Sequence, residues 1–344
     1  MFPKSRFLVC FGVFTISLIS GGPSFQPLFR ESGVFGEEEA ESPQVEIPYH
    51  FTHFEAYPGN PVFVGSSVGN WDARIRERGW ILQEHGVYAL WYTGYDGTRF
   101  GPKQLGLATS TDGVHWERHP SNPLVPESWV EDMCVEKRGD TYYMFAEGVN
   151  DQMHLLTAKD WVHWEDQGAL TILKTDGNPI DPGPFGTPTV WVENDTWYLF
   201  YERSDLGIWL ATSKDTRTWR NHSDEPLMLP GPESYDGKMI AFNQIVKRDG
   251  RYFAIYHGSN VDTKPALWTT CLAYSDDLIH WKKWSKNPLT PATENKSSGI
   301  FVPVEGENFR LYTMHEQVQL HFPKKIIREF PIETPGGPGI NSKP

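Results

Sequence analysis

The sequence predicts an all-β protein, a five-bladed β-propeller. Three observations carry that expectation: a seven-residue element that recurs along the chain, an aromatic β run ahead of each copy, and turn signals ahead of each run. The element Ser110-Thr-Asp112-Gly-Val-His-Trp116 returns as Ala158-Lys-Asp160-Trp-Val-His-Trp164, as Ser213-Lys-Asp215-Thr-Arg-Thr-Trp219 and as Ser275-Asp-Asp277-Leu-Ile-His-Trp281. A small residue is followed by Asp two positions on and Trp four later. The Trp-to-Trp gaps are 48, 55 and 62 residues, the period of a blade rather than of a helical repeat. The 31 Gly and 27 Pro residues suit many turns and short strands.

Each unit reads in the same order. The aromatic runs are Tyr88–Thr93, Tyr142–Glu147, Trp197–Glu202 and Tyr252–His257, and a fifth, Phe309–Met314, lacks the Asp…Trp element. His85-Gly86, Arg138-Gly-Asp140, Glu193-Asn-Asp195, Arg248-Asp-Gly250 and Glu305-Gly306 precede them as hairpin turns. Further apolar runs lie before those turns, and a third strand such as Leu105-Gly-Leu-Ala108 follows. One unit is therefore an up-and-down sheet. Five of them form a radial array in which neighbouring blades bury each other's faces; a sandwich or a solenoid is the competing arrangement. In this reading the repeated Trp wedges between blades, and its Asp binds nearby backbone N–H groups. The fifth blade is short of residues, so residues 45–57 are expected to supply its outer strand and close the ring.

The ends differ from this middle. Lys4 and Arg6 precede a mostly apolar run, 7–19, and the small residues Ser20, Gly21 and Gly22. Residues 1–22 thus read as a secretory signal, too short to cross a bilayer, and imply a secreted or periplasmic protein; a buried strand is the alternative. Residues 23–46, with Glu37-Glu-Glu-Ala-Glu, read as an acidic linker, 47–323 as the propeller and 324–344 as a disordered tail. No other stretch is apolar enough for a membrane span. The 31 basic against 44 acidic residues give a net charge of −13, which makes nucleic acid an improbable partner. Beyond the leader only Cys134 and Cys271 remain, too few for a disulfide framework. No phosphate loop, metal-ligand spacing or other cofactor motif is present, although a central ion or water held by His257 is conceivable.

In a blade of this kind the first residues of the innermost strand and the last of the second face one rim of the channel. At the first position the chain offers Arg78 with Asp72 upstream, Glu131-Asp132, Gly186-Thr187 and Asn243-Gln244; at the second it offers Thr93, Glu147, Glu202, His257 and Met314. Charges gathered there raise carboxyl pKa values. Glycosidic cleavage needs that effect, because one carboxyl must stay protonated while another stays ionised. Trp71 and Trp129 offer flat faces for sugar C–H surfaces, and each also reads as core packing. Asp72 and Asp236 stand in similar settings, 16 residues before an aromatic strand, which argues partly for a structural turn.

The pattern Asn60-Pro-Val…Trp71-Asp72…Tyr88-Ala-Leu-Trp-Tyr-Thr-Gly94…Leu105-Gly-Leu-Ala-Thr-Ser-Thr-Asp112-Gly-Val-His-Trp116 resembles the five-bladed propeller glycosidases, among them glycoside hydrolase families 43, 32, 68, 117 and 130. The resemblance spans about residues 57–322. It implies an acidic triad: Asp72 as first-blade base, Asp132 as orienting carboxylate, and an acid. Tyr256-His257-Gly258 matches the channel histidine of family 43. The Glu-Gly-Pro or Glu-Cys acid motif is absent, and Gly186-Thr187-Pro188 stands there instead, so His257, Glu202 or Glu147 is left as acid. Substrate contacts are then expected from Arg78, Trp71, Trp129, Glu147, Thr187 and Gln244. The resulting expectation is a secreted glycoside hydrolase acting on plant or algal oligo- or polysaccharides, inverting by analogy. The rivals are a non-catalytic carbohydrate-binding propeller and a phosphorylase holding phosphate on Arg74, Arg76, Arg78 and Arg99.

Overall fold

A computed structural model describes residues 47–325 except 99, 261, 262, 264, 265 and 305–308. The expected leader, linker and Arg99, and nearly all of the expected tail, lie outside the described residues. Strand β1 (Phe54–Ala56) precedes blade one, which comprises β2 (Arg74–Glu84), β3 (Val87–Tyr95), β4 (Gln104–Ser110) and β5 (Glu117–Arg118). Blade two comprises β6 (Glu131–Arg138), β7 (Thr141–Glu147), β8 (Met153–Ala158) and β9 (Trp164–Ala169). After β10 (Thr171–Leu173), blade three comprises β11 (Phe185–Glu193), β12 (Thr196–Arg203), β13 (Ile208–Ser213) and β14 (Thr218–Asn221). Blade four comprises β15 (Met239–Arg248), β16 (Arg251–Asn260), β17 (Leu267–Ser275) and β18 (Lys282–Lys283), and blade five begins with β19 (Ile300–Pro303), β20 (Phe309–Met314) and β21 (Val318–Pro323).

Five sheets form, each antiparallel from its inner strand outward, with β10 added in parallel to the edge of blade three. Strand β1 pairs antiparallel with β21, so the N-terminal segment is the outer strand of blade five and the ring closes as expected. The innermost strands β2, β6, β11, β15 and β19 pack in succession, and β19 returns to β2.

Local chemistry explains the blades. His85-Gly86, Asn194-Asp195 and Asp249-Gly250 all have positive φ, the backbone of the two-residue hairpin turn that matches strand twist. The repeated Asp does what its position suggested. Asp112 Oδ1 accepts from the N–H groups of Val114 and His115, both at 2.8 Å, and Asp160, Asp215 and Asp277 repeat the arrangement. The repeated Trp of blades two to four is an inter-blade wedge, whereas Trp116 of blade one lies edge-on to Tyr88 of its own blade at 6.4 Å. Trp164 of blade two meets Trp91 of blade one edge-on at 5.8 Å between ring centres, Trp219 of blade three meets Phe145 of blade two at 5.7 Å, and Trp281 of blade four meets Phe200 of blade three at 5.8 Å. Cys134 and Cys271 are buried free thiols.

Candidate active site

The site begins with a defect shared by four inner strands. Pairing between first and second strands slips between Arg76 and Trp80, Glu131 and Cys134, Gly186 and Thr189, and Phe242 and Gln244. Within three of these bulges sit Glu77, Asp132 and Thr187, with φ of 49°, 46° and 50°. Left-handed backbone at a non-glycine residue is costly, more so at β-branched Thr187, and it re-aims a side chain that a regular strand would send elsewhere. All three line one hollow.

That hollow has a volume of about 310 Å³ and is walled by Glu77, Asp132, Glu147, Thr187, Glu202 and His257, with Arg76, Asp151, Asp205 and Trp268 around them. The register explains the meeting: Glu131 pairs with Glu147, Gly186 with Glu202 and Ala241 with His257, so each second-strand exit lies beside a bulge. Asp132, Glu147, Thr187, Glu202 and His257 are therefore brought together as expected. Gly186 leaves the room that the Glu147 carboxyl occupies, because a Cβ at this position would lie 1.9 Å from Glu147 Oε2. The neighbouring Thr187 N–H donates to that same oxygen at 3.0 Å.

The carboxyls fall into two states. Burial alone would raise Glu77, but His315, whose Nδ1 lies 3.5 Å away, and Arg76 outweigh it and hold Glu77 ionised, at about 2. Asp132 is pushed the other way by burial and by the Glu77 charge beside it, with Arg78 only partly offsetting them. Glu147 is raised well above the ordinary range by burial and by Asp132. Burial and the nearby Asp205 raise Glu202 to about 7, against the pull of the hydrogen bond from the Asp205 N–H. His257 is driven down to about 4 by burial and stands neutral at pH 7, with Nδ1 2.7 Å from Asn243 Oδ1. A neutral imidazole is a hydrogen-bonding group and a poor proton source, which turns the search for an acid toward the carboxyls.

Five expected site residues lie elsewhere. Asp72 is buried away from the hollow, bonded to Ser66, to the Tyr92 hydroxyl at 2.9 Å and to Arg118 Nε at 2.7 Å. Asp236 repeats this with Tyr256 at 2.9 Å and Lys283 at 2.6 Å, so both are inter-strand anchors. Glycine at 94 and 258 lets them approach: a Cβ there would come within 2.6 Å of Asp72 Cβ and 2.5 Å of Asp236 Cβ. Trp71 stacks on Tyr92 at 6.0 Å and belongs to the same anchor. Trp129 donates its indole N–H to Glu131 and packs under Lys103. Gln244 spends its amide on both main-chain groups of Phe301.

Arg78 is fully buried beneath the site rather than facing a substrate. Its guanidinium donates to Asp132 O, Pro188 O, Thr189 Oγ1, Phe242 O and Asn243 O, the last three at 2.8, 2.8 and 3.1 Å. One cation thus ties the inner strands of blades one to four at their bulges.

Glu77 is the residue that spacing missed. Counting ten back from the aromatic strand finds Asp132 and Thr187 but lands on Arg78 in blade one. Between its flanking pairs the blade-one bulge holds three residues against one of its partner, where the blade-two and blade-three bulges hold two against one. One extra residue moves the wall position from 78 to 77.

Fold and site together define a five-bladed propeller with a carboxylate-walled funnel at its axis. The family model for the N-terminal domain of glycosyl hydrolases family 32 matches residues 79–227. Fructan beta-fructosidase of Streptococcus mutans is 26% identical over 210 residues, 55% of this chain but only 14% of that protein. The 1,2-beta-oligomannan phosphorylase of Thermoanaerobacter sp. is 24% identical over 63% of this chain and 75% of that protein. The crystal structure of a glycosyl hydrolase from Bacteroides ovatus superposes with a TM-score of 0.64 at 17% identity, over 80% of this chain and 95% of that one. The chain resembles the five-bladed propeller glycosidases and carries the propeller that glycoside hydrolases and phosphorylases share.

Proposed function

We propose that this protein hydrolyses glycosidic bonds of oligosaccharides, with Glu77 as the ionised carboxylate, Glu202 as the general acid and Asp132 as the carboxyl that tunes them. The observation that carries the reading is one hollow holding a carboxylate kept charged by His315 and Arg76 beside others kept protonated toward neutral pH. That is the division of labour glycoside hydrolysis requires. Glu147, held by the Thr187 N–H, and neutral His257 are placed to hold sugar hydroxyls, and the Trp268 face to take a ring.

Hydrolysis is preferred to phosphorolysis on electrostatic grounds. Six carboxyl side chains line the hollow against one guanidinium, Arg76, which is already paired with Glu131 at 2.5 Å. Among the described lining residues no unpaired guanidinium is left to hold a phosphate dianion, and the charged Glu77 would repel it. We read the course as inverting, with water deprotonated at Glu77, and the protein as exported on its leader pattern.

The test is a panel of aryl glycosides and short oligosaccharides assayed with and without phosphate. Turnover independent of phosphate, lost by a factor on the order of 10²–10⁴ in Glu77→Gln and Glu202→Gln, supports the reading. Equal background rates in wild type and both variants, with glycan binding retained, would make the propeller a binding module. Phosphate-dependent turnover would make it a phosphorylase. The anomer released first, followed by proton NMR, checks the stereochemistry; net retention reassigns Glu77 as nucleophile.

A further inference from the structure

Beside the catalytic hollow, and separated from it by one layer of side chains, lies a second and wholly polar hollow of about 160 Å³. Its walls are the loop after β20 (His315, Glu316 and Gln317), Gln319 of β21, and the Asn295 region between blades four and five. The partition is His315. Its ring lines the second hollow while its Nδ1 stands 3.5 Å from Glu77 in the first, and it lies against Trp268, another wall of the first, at 6.1 Å between ring centres. Asn295 fixes Trp268 from the other side: held at φ 51°, it accepts the Trp268 N–H on Oδ1 at 3.0 Å.

Part of this lining is already paired: Lys296 with Glu294, Asn295 with the Trp268 main-chain N–H, and Thr313 with His321. Gln317 and Gln319 are half-buried, and among the described residues neither amide makes a side-chain hydrogen bond to protein. Each of these amides offers two donors and an acceptor to a hydroxyl-rich ligand. The volume falls below the ~300–1,000 Å³ of drug-sized pockets, which suits one sugar unit and not a chain. Glu316 and Gln317 are also walls of a wider hollow of about 620 Å³ that runs toward Arg74 and Asp96 on blade one. The three hollows therefore follow one another across the blade-five loop.

We propose that the blade-five hollow is a second sugar-binding subsite, so that the preferred ligands are chains of three or more neutral sugar units that cross His315 with one unit in each hollow. The inference rests on the hydrolase reading for the chemistry but not for the binding. Neutral sugars are specified because the catalytic hollow is lined with carboxyls and Glu316 adds another beside it.

The experiment is calorimetric titration of the full chain, and of its Gln317→Ala/Gln319→Ala variant, with mannan oligomers (β-1,2) and β-fructan oligomers of two to five units, preceded by a neutral-glycan array for other linkages. Neither glutamine belongs to the catalytic machinery, so hydrolysis of aryl monoglycosides is expected to be unchanged in the variant. Binding at least tenfold tighter for four units than for two, with that gain lost in the variant and two-unit binding unaffected, supports the subsite even where no product forms; in that case the hydrolase reading fails alone. Turnover without any length preference, an equal loss at both lengths, or no glycan bound on the array overturns the subsite.

Discussion

At the scale of single residues, the site works by setting carboxyl groups a short way apart in opposite states. The sign of each shift fixes what pH does. Glu202 has a folded value near 7, above its ordinary one. For a raised carboxyl, the protonated folded form is favoured, so its contribution to stability is complete below the ordinary value and is lost as pH rises through about 7. In the proposed mechanism the same proton is the one donated to the leaving group. Turnover is therefore expected to fall on the alkaline side of about pH 7, and Glu202→Gln to melt at a higher temperature than wild type at about pH 8 but at the same temperature near about pH 4. Equal melting temperatures at both pH values would show that Glu202 is not held protonated by its surroundings. Gly186→Ala probes the neighbour. Its new methyl occupies the place of the Glu147 oxygen, and a shifted carboxyl is expected to cost on the order of 10²-fold in kcat/KM with little change in melting temperature.

The same scale marks the limit of reading the sequence. Asp132, Glu147, Thr187, Glu202 and His257 were legible because β pairing converts a constant spacing into a constant place on the rim. Glu77 was hidden by one additional bulge residue, which no residue type announces. Asp72 was over-read because a Trp-Asp pair is compatible both with a catalytic rim and with an anchor. Its twin Asp236, bonded to Lys283 and Tyr256, identifies the anchor, and the glycines at 94 and 258 that admit both aspartates are consequences of packing that become visible only in three dimensions.

At the scale of the element, the repeated turn and its tryptophan stabilise the contact between blades. Trp219 is fully buried, donates its indole N–H to Thr216 O at 3.1 Å and stands edge-on to Phe145 of the preceding blade. This part of the fold could be read directly, since the Asp…Trp interval sets the turn and the wedge together. Trp219→Ala removes the wedge from a core that cannot close over it, and a loss of roughly 3–5 kcal/mol is expected in urea unfolding. A loss under about 1 kcal/mol would place the inter-blade contact elsewhere.

At the scale of the whole molecule, the ring has to close, and two devices do it. Arg78 gathers the bulged strands of four blades around one guanidinium at the axis. On the rim, the segment before blade one is spent on blade five: β1 pairs with β21, and Phe51 is buried among Phe253 of blade four and Phe301 and Phe309 of blade five, at 5.0, 5.2 and 5.4 Å between ring centres. Closure of this kind links residues far apart in the chain, so its loss is felt by every blade. Phe51→Ala is expected to cost roughly 3–5 kcal/mol, a large share of the ~5–15 kcal/mol of a typical domain. If closure couples all five blades, the midpoint in urea should fall while the slope of the transition stays as in wild type. A second, earlier transition confined to blade five would mean that the seam opens independently, and that closure by β1 is not what joins the first blade to the last.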